Sequence, residues 1–581
     1  MYQTDTFYRK SPSPRTGYPH MLAGLLFTLL ALPAFALAKG TDIRIKVSGI
    51  SGEARENIIL RLETFAVMRS DSPPDAESLR LEAEKALEPW GYFHARIKVE
   101  TSANTWRVQV TPGNVIRLSS VKRSLRGEGA NNARLLAALR TLPLKEGDAA
   151  SSVAYENAKR ILLDAADKEG FLKAHFSQSI LRIDVDNNTA DALIALDTGP
   201  QSYFGQVQFD PTYLSPELLR RYIPFKPGTP WSPDTLLAFN DNLAASGYFQ
   251  TVSVRPLEAD GNTLPVAVHL EPAAPMRYAL GLGVGTDTGI RANAGLQVIP
   301  LNRAGHTFNA NAQGSFRENI LQGRYGIPGE NPLSTQYNLT GTLSNLNYDS
   351  GYSNAFTATA ARLWRSPTVQ HTVSLNMLFE RYRYTDAPTL DKLTPYPEVS
   401  LRLTNAINPL FTPSGFSLAL NGLAANRAAL SAVSFAQGSA DLRLAYMIEP
   451  LRTRLYLHTL QAINHTPNID EVPFSLALLL GGADNLRALS YNALGPGKRL
   501  TYGGFEIQKE TFKNWFVTGF VDVGDVWNPT PFSLYRDAGA GLLWISPVGP
   551  IRVGFAQPLN SQWQPLMDKK PRLVINMGPD L

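Results

Sequence analysis

From Arg277 to the C-terminus the chain alternates apolar and polar residues in short segments, and this period of two limits its possible folds more than any other feature. Val399, Leu401 and Leu403 are apolar, while Ser400, Arg402 and Thr404 are polar. Leu442, Leu444, Tyr446 and Ile448 oppose Asp441 and Arg443; Leu455 and Leu457 oppose Arg452, Arg454 and His458; Ile551, Val553 and Phe555 oppose Arg552 and Gly554. Successive side chains of a strand point to opposite faces, so each segment has one apolar and one polar face. Such faces suit a barrel with lipid outside and a polar lumen, and they suit a soluble sandwich equally. Beyond the N-terminal region, no run approaches the about 18 apolar residues of a membrane helix. If this chain enters a membrane, it must therefore do so as a closed sheet, which satisfies its own backbone in hydrocarbon.

The N-terminus helps to choose. Arg9, Lys10 and Arg15 precede an apolar run from Met21 to Ala38, which ends in Ala34-Phe35-Ala36 and Ala36-Leu37-Ala38. A basic region, an apolar core and small-x-small cleavage patterns read as a secretory signal peptide over residues 1–38. Export and length favour the barrel. Roughly 305 residues, at about 19 per strand and turn, supply about 16 antiparallel strands, an even number as in bacterial barrels. The chain has no cysteine, so it has neither a disulfide framework nor a thiolate metal site.

Ahead of the barrel lies a repeat. Gly91-Tyr92-Phe93, Gly170-Phe171-Leu172 and Gly247-Tyr248-Phe249 recur at nearly equal spacing. A helical stretch precedes each (Asp75–Glu88, Ser152–Glu169, Pro233–Ala245), with Ala154, Ala158, Ile161, Leu162 and Ala165 on one face of the second. Two strand-like segments follow each copy, and a short strand opens it: Ile43–Val47, Ile116–Val121 and Gly205–Phe209. A further helix comes after that first strand, clearest at Glu53–Phe65 and Ser215–Tyr222. The unit is thus β-α-α-β-β, with the glycine in the left-handed position that ends a helix and the aromatic buried at the start of the next strand. A three-stranded sheet backed by two helices leaves a free edge. The expected organisation is three α/β modules at 41–114, 115–201 and 202–275, then a transmembrane barrel over 276–581.

The modules resemble POTRA domains, and the C-terminal third resembles the barrels of the BamA/TamA superfamily of outer-membrane assembly factors. Gly481-Gly482-Ala483-Asp484-Asn485-Leu486-Arg487-Ala488-Leu489 is similar to that superfamily's Arg-Gly-aromatic loop motif, with Ala488 and Leu489 replacing the glycine and the aromatic. Alanine resists the positive φ that glycine permits, so the sequence leaves the conformation of the loop tip open. Phe520-Val521-Asp522-Val523-Gly524 resembles the family's Phe-x-Asp-x-Gly strand, and Gly504-Phe505-Glu506 resembles the Gly-x-Glu of the strand before it. Parity puts Glu506 and Asp522 in the lumen on neighbouring strands. Since the resemblance implies a loop folded back into the lumen, Arg487 is expected to clasp both, with bidentate bonds possible. Gly285-Thr286-Asp287, Asn302–His306, Trp544–Arg552 and Asn576–Leu581 carry the likeness further, toward the TamA family, which has three POTRA modules. BamA-type factors have five. Two-partner secretion transporters have two modules and a plug helix.

The resemblance implies insertion or export of outer-membrane clients such as autotransporters, an inner-membrane partner resembling TamB, and contact with outer-membrane lipid. A two-partner-secretion-type transporter or a passive porin remains the alternative. No enzyme is expected. The eight His are scattered without metal-ligand spacing, and no nucleophile elbow or nucleotide loop appears. No cofactor or metal is implied, and basic residues form no stripe for nucleic acid. The barrel's closing seam is expected to be weak. Gly281, Gly283 and Gly285 leave one face of the first strand (Tyr278–Gly285) poorly packed, and the short last strand (Arg572–Met577) runs into Gly578-Pro579.

Overall fold

A computed structural model describes residues 43–68, 74–102, 105–258, 261–406, 408, 411–528, 533–547, 549–559 and 570–578. The proposed leader, residues 1–38, and Pro579 lie outside these. The chain forms two compact units: Met1–Ser124 with Ala138–Leu162 and Phe176–Leu196, and Leu125–Ala137 with Leu163–His175 and Asp197–Leu581.

The first module contains β1 (Arg44–Ser48), α1 (Gly52–Met68), α2 (Ala76–Leu87), β2 (Arg96–Ser102) and β3 (Thr105–Thr111). The second contains β4 (Arg117–Arg126), α3 (Ala133–Thr141), α4 (Ser152–Lys168), β5 (His175–Asp184) and β6 (Thr189–Asp197). The third contains β7 (Tyr203–Phe209), α5 (Pro216–Arg220), α6 (Pro233–Ala245), β8 (Phe249–Pro256) and β9 (Thr263–Pro272). Each has the order β-α-α-β-β. The last strand of each module lies in the middle of its sheet, so the first and second strands are both edges. Packing follows the sequence pattern: α1 buries Ala54, Ile58, Leu62 and Ala66, four residues apart, against Trp106, Val108 and Val110 of β3. Caps set the helix starts. Asp75 accepts the Ser78 N–H at 2.7 Å, and Ser232 accepts that of Thr235 ahead of Pro233.

All three repeat glycines are left-handed, with φ of 86°, 84° and 76° at Gly91, Gly170 and Gly247. After α4, Phe171 N–H donates to Ala166 O at 2.8 Å and Gly170 N–H to Asp167 O at 3.0 Å, which satisfies carbonyls the helix leaves open. The aromatic position differs from the sequence expectation. β8 begins at Phe249, one residue after Tyr248, whereas β2 and β5 begin four residues after Tyr92 and Phe171, because a turn redirects the chain there first. In the second module that turn is closed by Ala174 N–H on Phe171 O at 3.1 Å.

The barrel strands are β10 (Met276–Gly285), β11 (Gly289–Val298), β12 (Thr307–Gly314), β13 (Glu318–Pro328), β14 (Thr335–Tyr348), β15 (Gly351–Arg365), β16 (Val369–Tyr384) and β17 (Leu390–Thr404). They continue as β18 (Gly415–Ala425), β19 (Phe435–Ile448), β20 (Thr453–His465), β21 (Arg499–Phe512), β22 (Trp515–Trp527), β23 (Tyr535–Ser546), β24 (Gly549–Pro558) and β25 (Arg572–Met577). All sixteen join in chain order into one sheet, each antiparallel to the next, curled into a nearly closed barrel. The alternation in sequence becomes inside and outside: Val399, Tyr446 and Phe555 are exposed outward, while Arg454 and His458 are buried in the lumen.

Module 3 docks on two turns at one end of this barrel. Tyr248 Oη donates to Gly305 O at 2.7 Å, Ser215 N–H to Arg303 O at 2.8 Å, and Arg221 Nη1 to Gly329 O at 3.2 Å. Ile299 and Leu333 from the same turns pack on the module's core. Asn302 shapes the first turn by accepting the N–H of both Ala304 and His306 at 3.1 Å.

The glycine turns differ in their surroundings. A Cβ on Gly170 would meet the Trp231 carbonyl oxygen at 2.5 Å, while one on Gly247 would have nothing within 4 Å. Gly247→Ala should cost only the left-handed backbone, about 1–2 kcal/mol. Gly170→Ala should add overpacking of about 1–3 kcal/mol. Hydrogen exchange at the ends of α4 and α6 in the intact protein checks the order.

Candidate functional site

The segment 466–498 between β20 and β21 lies in the lumen and is bonded to both sides of the barrel. On its way in, its backbone is held by β16: Tyr382 Oη donates to Glu471 O at 2.7 Å and Tyr384 Oη to Val472 O at 2.8 Å. Glu380, two residues before Tyr382 and so on the same face, accepts both the N–H and Oγ of Ser475 at 2.9 Å. On its way out, Tyr491 Oη donates to Glu318 Oε1 at 3.0 Å and Ser350 Oγ to Asn492 O at 2.8 Å. Between these limbs, Leu480, Leu486, Leu489 and Leu494 pack against Tyr502, Phe520, Tyr535 and Val574 of the opposite wall. The loop thus has an apolar core of its own, and its ordering does not depend on charge alone.

At the tip, Arg487 Nη1 donates to Glu506 Oε2 at 2.7 Å. Its Nε lies 3.2 Å from Asp522 Oδ2, a charge contact without hydrogen-bond alignment. The guanidinium sits 3.8 Å above the Phe520 ring centre, adding a cation–π contact. It therefore straddles two strands, β21 and β22, and is not held bidentately by one carboxylate. Glu506 and Asp522 are buried and have other partners: Gln508 Nε2 donates to Glu506 at 2.8 Å, and Tyr502 Oη to Asp522 at 2.9 Å.

A third carboxylate joins them. Asp537 of β23 pairs in register with Asp522, and its Oδ2 accepts the Ala488 N–H at 3.0 Å. Ala488 itself has no positive φ, so the replacement of glycine brings no strain. Leu489, in place of the aromatic, is fully buried in the loop core. The left-handed bends fall earlier, at Gly481 and Gly482, with φ of 127° and 116°.

The motif glycines mark close approaches. A Cβ on Gly481 would strike Ser490 O, and one on Gly482 would meet Asp287 Oδ2 and the Tyr491 ring, both at 2.9 Å. On Gly504 it would collide with the Tyr502 hydroxyl and the Asp522 carboxylate. On Gly524 it would meet Thr501 O at 2.8 Å and the Leu480 side chain at 2.9 Å.

Beside the loop tip is the seam. Consecutive barrel strands share ladders, but among the described residues β10 and β25 share none. Thr286 N–H donates to Ile575 O at 3.3 Å, and Ile575 N–H to Thr286 Oγ1 at 3.2 Å. Gly281, Gly283 and Gly285 lie on the lumen face of β10, opposite Leu280 and Leu282, which are 87% and 85% exposed outward. Gly578 holds the end of β25 to β24, its N–H on Pro550 O at 3.1 Å. The loop supplies what the backbone lacks. Asp287, just past β10, accepts the Ala483 N–H at 2.6 Å and Arg572 Nη2 at 2.8 Å. Arg572 Nη1 reaches Arg487 O at 3.4 Å, and Asn576 donates to Asp484. One tip therefore bridges both edges of the seam.

Comparison with known proteins matches residues 301–578 to the Omp85 superfamily domain, 44–112 to the POTRA domain TamA domain 1, and 202–273 to the surface antigen variable number repeat, a POTRA model. The chain is a TamA/BamA-type member of the Omp85 superfamily. Among solved structures, this Omp85 protein is similar to BamA from Haemophilus ducreyi lacking POTRA domains 1–3, with 14% identity, a TM-score of 0.69, and coverage of 80% of this chain and 99% of that one. CdiB from Acinetobacter baumannii (12% identity, TM-score 0.46, 80% and 90% coverage) and CdiB from Escherichia coli (14%, 0.46, 91% and 99%) also match. It is an outer-membrane β-barrel protein of a superfamily concerned with protein assembly and secretion.

Sequence alone did not single out Asp537, Asp287 and Arg572 of this Omp85 site, nor the anchors Glu380, Tyr382 and Tyr384 on β16. For Asp537, the parity of Tyr535-Asp537-Gly539 was the available signal. Asp287 and Arg572 are far apart in the chain, and no local pattern joins them.

Arg487→Ala should leave buried carboxylates without their cation, a loss of about 3–5 kcal/mol. A double-mutant cycle with Asp522→Ala, read from the temperature at which the barrel loses its compact mobility in detergent gels, should show strong coupling. Gly504→Ala should lower that temperature, whereas Gly503→Ala, with nothing within 4 Å of its Cβ, should not.

Proposed function

We propose that this protein inserts or exports client proteins, autotransporters among them, by offering strand edges to their extended segments. The supporting observation is the seam, where two bonds to Thr286 stand in place of a ladder and the β10 edge is otherwise unpaired by β25 among the described residues. An unpaired edge is a template for another strand. The seam's remaining ties are side-chain bonds through Asp287, Arg572 and Asn576, which can break without disturbing an internal strand pair.

In this reading the POTRA arm lies in the periplasm after the leader is removed. The edges of its three small sheets bind partner strands by backbone pairing, which tolerates varied sequences. A TamB-like inner-membrane protein is the partner expected there. The work is binding and bilayer perturbation without covalent chemistry. The loop that occupies the lumen argues against a passive pore, and small, irregular conductance is expected of the purified protein.

Two outcomes test the proposal. Cysteines at Thr286 and Ile575, with flanking registers, would lock the seam of this cysteine-free chain, and the oxidised protein should lose client assembly while the reduced form retains it. Unchanged assembly with a verified crosslink in every register would exclude lateral opening. Photo-crosslinkers along β2, β5 and β8 should capture partner strands in preference to those on α1 or α4; equal yields would count against edge pairing.

A further inference from the structure

The outer wall from β12 to β17 carries two registered rows of outward side chains. Ala312, Leu321, Leu343, Phe356, Phe379 and Leu393 pair strand to strand in the first. Two residues farther from the module 3 end, Asn319, Asn345, Asn354, Arg381 and Asp391 pair in the second. Together the rows line a hollow of about 1000 Å³. Its floor is apolar, with Phe356 and Phe379 stacked at 6.3 Å.

The polar row is a directed relay. Ser315 N–H donates to Asn319 Oδ1 at 3.3 Å, Asn319 Nδ2 to Asn345 Oδ1 at 3.2 Å, and Asn345 Nδ2 to Asn354 Oδ1 at 2.8 Å. Asn354 is exposed, and its own Nδ2 finds no acceptor among the described residues. Across from it Arg381 is 3.7 Å from Asp391, too long for a hydrogen bond, which leaves its donors uncommitted. Arg383 follows on the same face, 5.3 Å from the Tyr352 ring centre, with no ion-pair partner among the described residues. Unused N–H donors and a net positive charge thus crown an apolar hollow. The occupant they fit has anionic oxygens at one end and hydrocarbon at the other.

The width narrows the class. Strands lie about 4.8 Å apart, so the five-residue polar row is roughly 19 Å wide, more than one glycerophosphate headgroup spans. Asparagine amides in line with the charged groups, on one side of them, suit sugar hydroxyls. We propose that this wall binds a phosphorylated glycolipid of the lipid A kind. Asn354, Arg381 and Arg383 hold a phosphate, the Asn319–Asn345 amides face the sugars, and the acyl chains lie along the Leu321–Leu393 row. Module 3 docks at the other end of the same strands, so with the modules in the periplasm, as proposed above, the hollow faces the outer leaflet.

The test uses the full-length protein in detergent, with retained lipid counted by native mass spectrometry. Bisphosphorylated lipid A should be retained by the unmodified protein, and its dephosphorylated form and phosphatidylglycerol about ten-fold less, since bonds to a charged group are lost. The R381A/R383A double variant should lose about ten-fold in lipid A retention while keeping its heat-modifiable barrel; both side chains are exposed. R365A, an exposed cation at the other end, should match the unmodified protein. Equal retention by R381A/R383A and the unmodified protein would overturn the proposal. So would retention of dephosphorylated lipid A or phosphatidylglycerol equal to that of lipid A, a comparison that needs no variant. The assay involves no client, so its failure leaves the assembly reading standing.

Discussion

A sheet that crosses hydrocarbon must satisfy every backbone N–H and C=O within itself, and this requirement organises the molecule. It explains why sixteen strands pair in simple chain order and why apolar and polar side chains sort to opposite faces. It also makes the junction of β10 and β25 the place where the rule is least well met. There the backbone contributes little, and side chains take over: Thr286 on one edge, Arg572 and Asn576 on the other, with Asp287 and the loop tip between them. Side-chain bonds are shorter in reach and fewer than a ladder, but they can be exchanged one at a time.

The cluster around Arg487 works under a second constraint. A guanidinium buried with Glu506 and Asp522 trades hydration for two carboxylates within 3.2 Å. Such a group adds less net stability than its contacts suggest, yet losing one member leaves the others exposed to the full cost of burial. The arrangement therefore fixes one loop position sharply. Because the Arg487 carbonyl also receives Arg572 from β25, position at the clasp and contact at the seam are set by the same residue.

How much of this could be read from sequence depended on range. Period-two parity is local, so the inward direction of Glu506 and Asp522 could be deduced from Phe505, Ile507, Val521 and Val523 alone. The glycine turns at Gly91, Gly170 and Gly247 were equally visible, since helix, stop and strand adjoin. What adjoins only in space was hidden. Asp537 meets Ala488 across 49 positions, and Asp287 meets Arg572 across 285. The tip conformation stayed open for a related reason: Gly481 and Gly482 supply the left-handed bends, so Ala488 need not. The aromatics of the first two modules were misplaced because an extra turn precedes β2 and β5.

A ring of sixteen strands is wide enough, when empty, to form an aqueous channel. In this protein the lumen is crossed by a loop tied to β16 by Tyr382, Tyr384 and Glu380, and to β21 and β22 by Arg487. None of the β16 ties touches the seam. Sixteen strands alone therefore do not make this lumen open: the β16 anchors hold the entering limb of the loop at a distance from the seam, and only the loop tip is shared between the two.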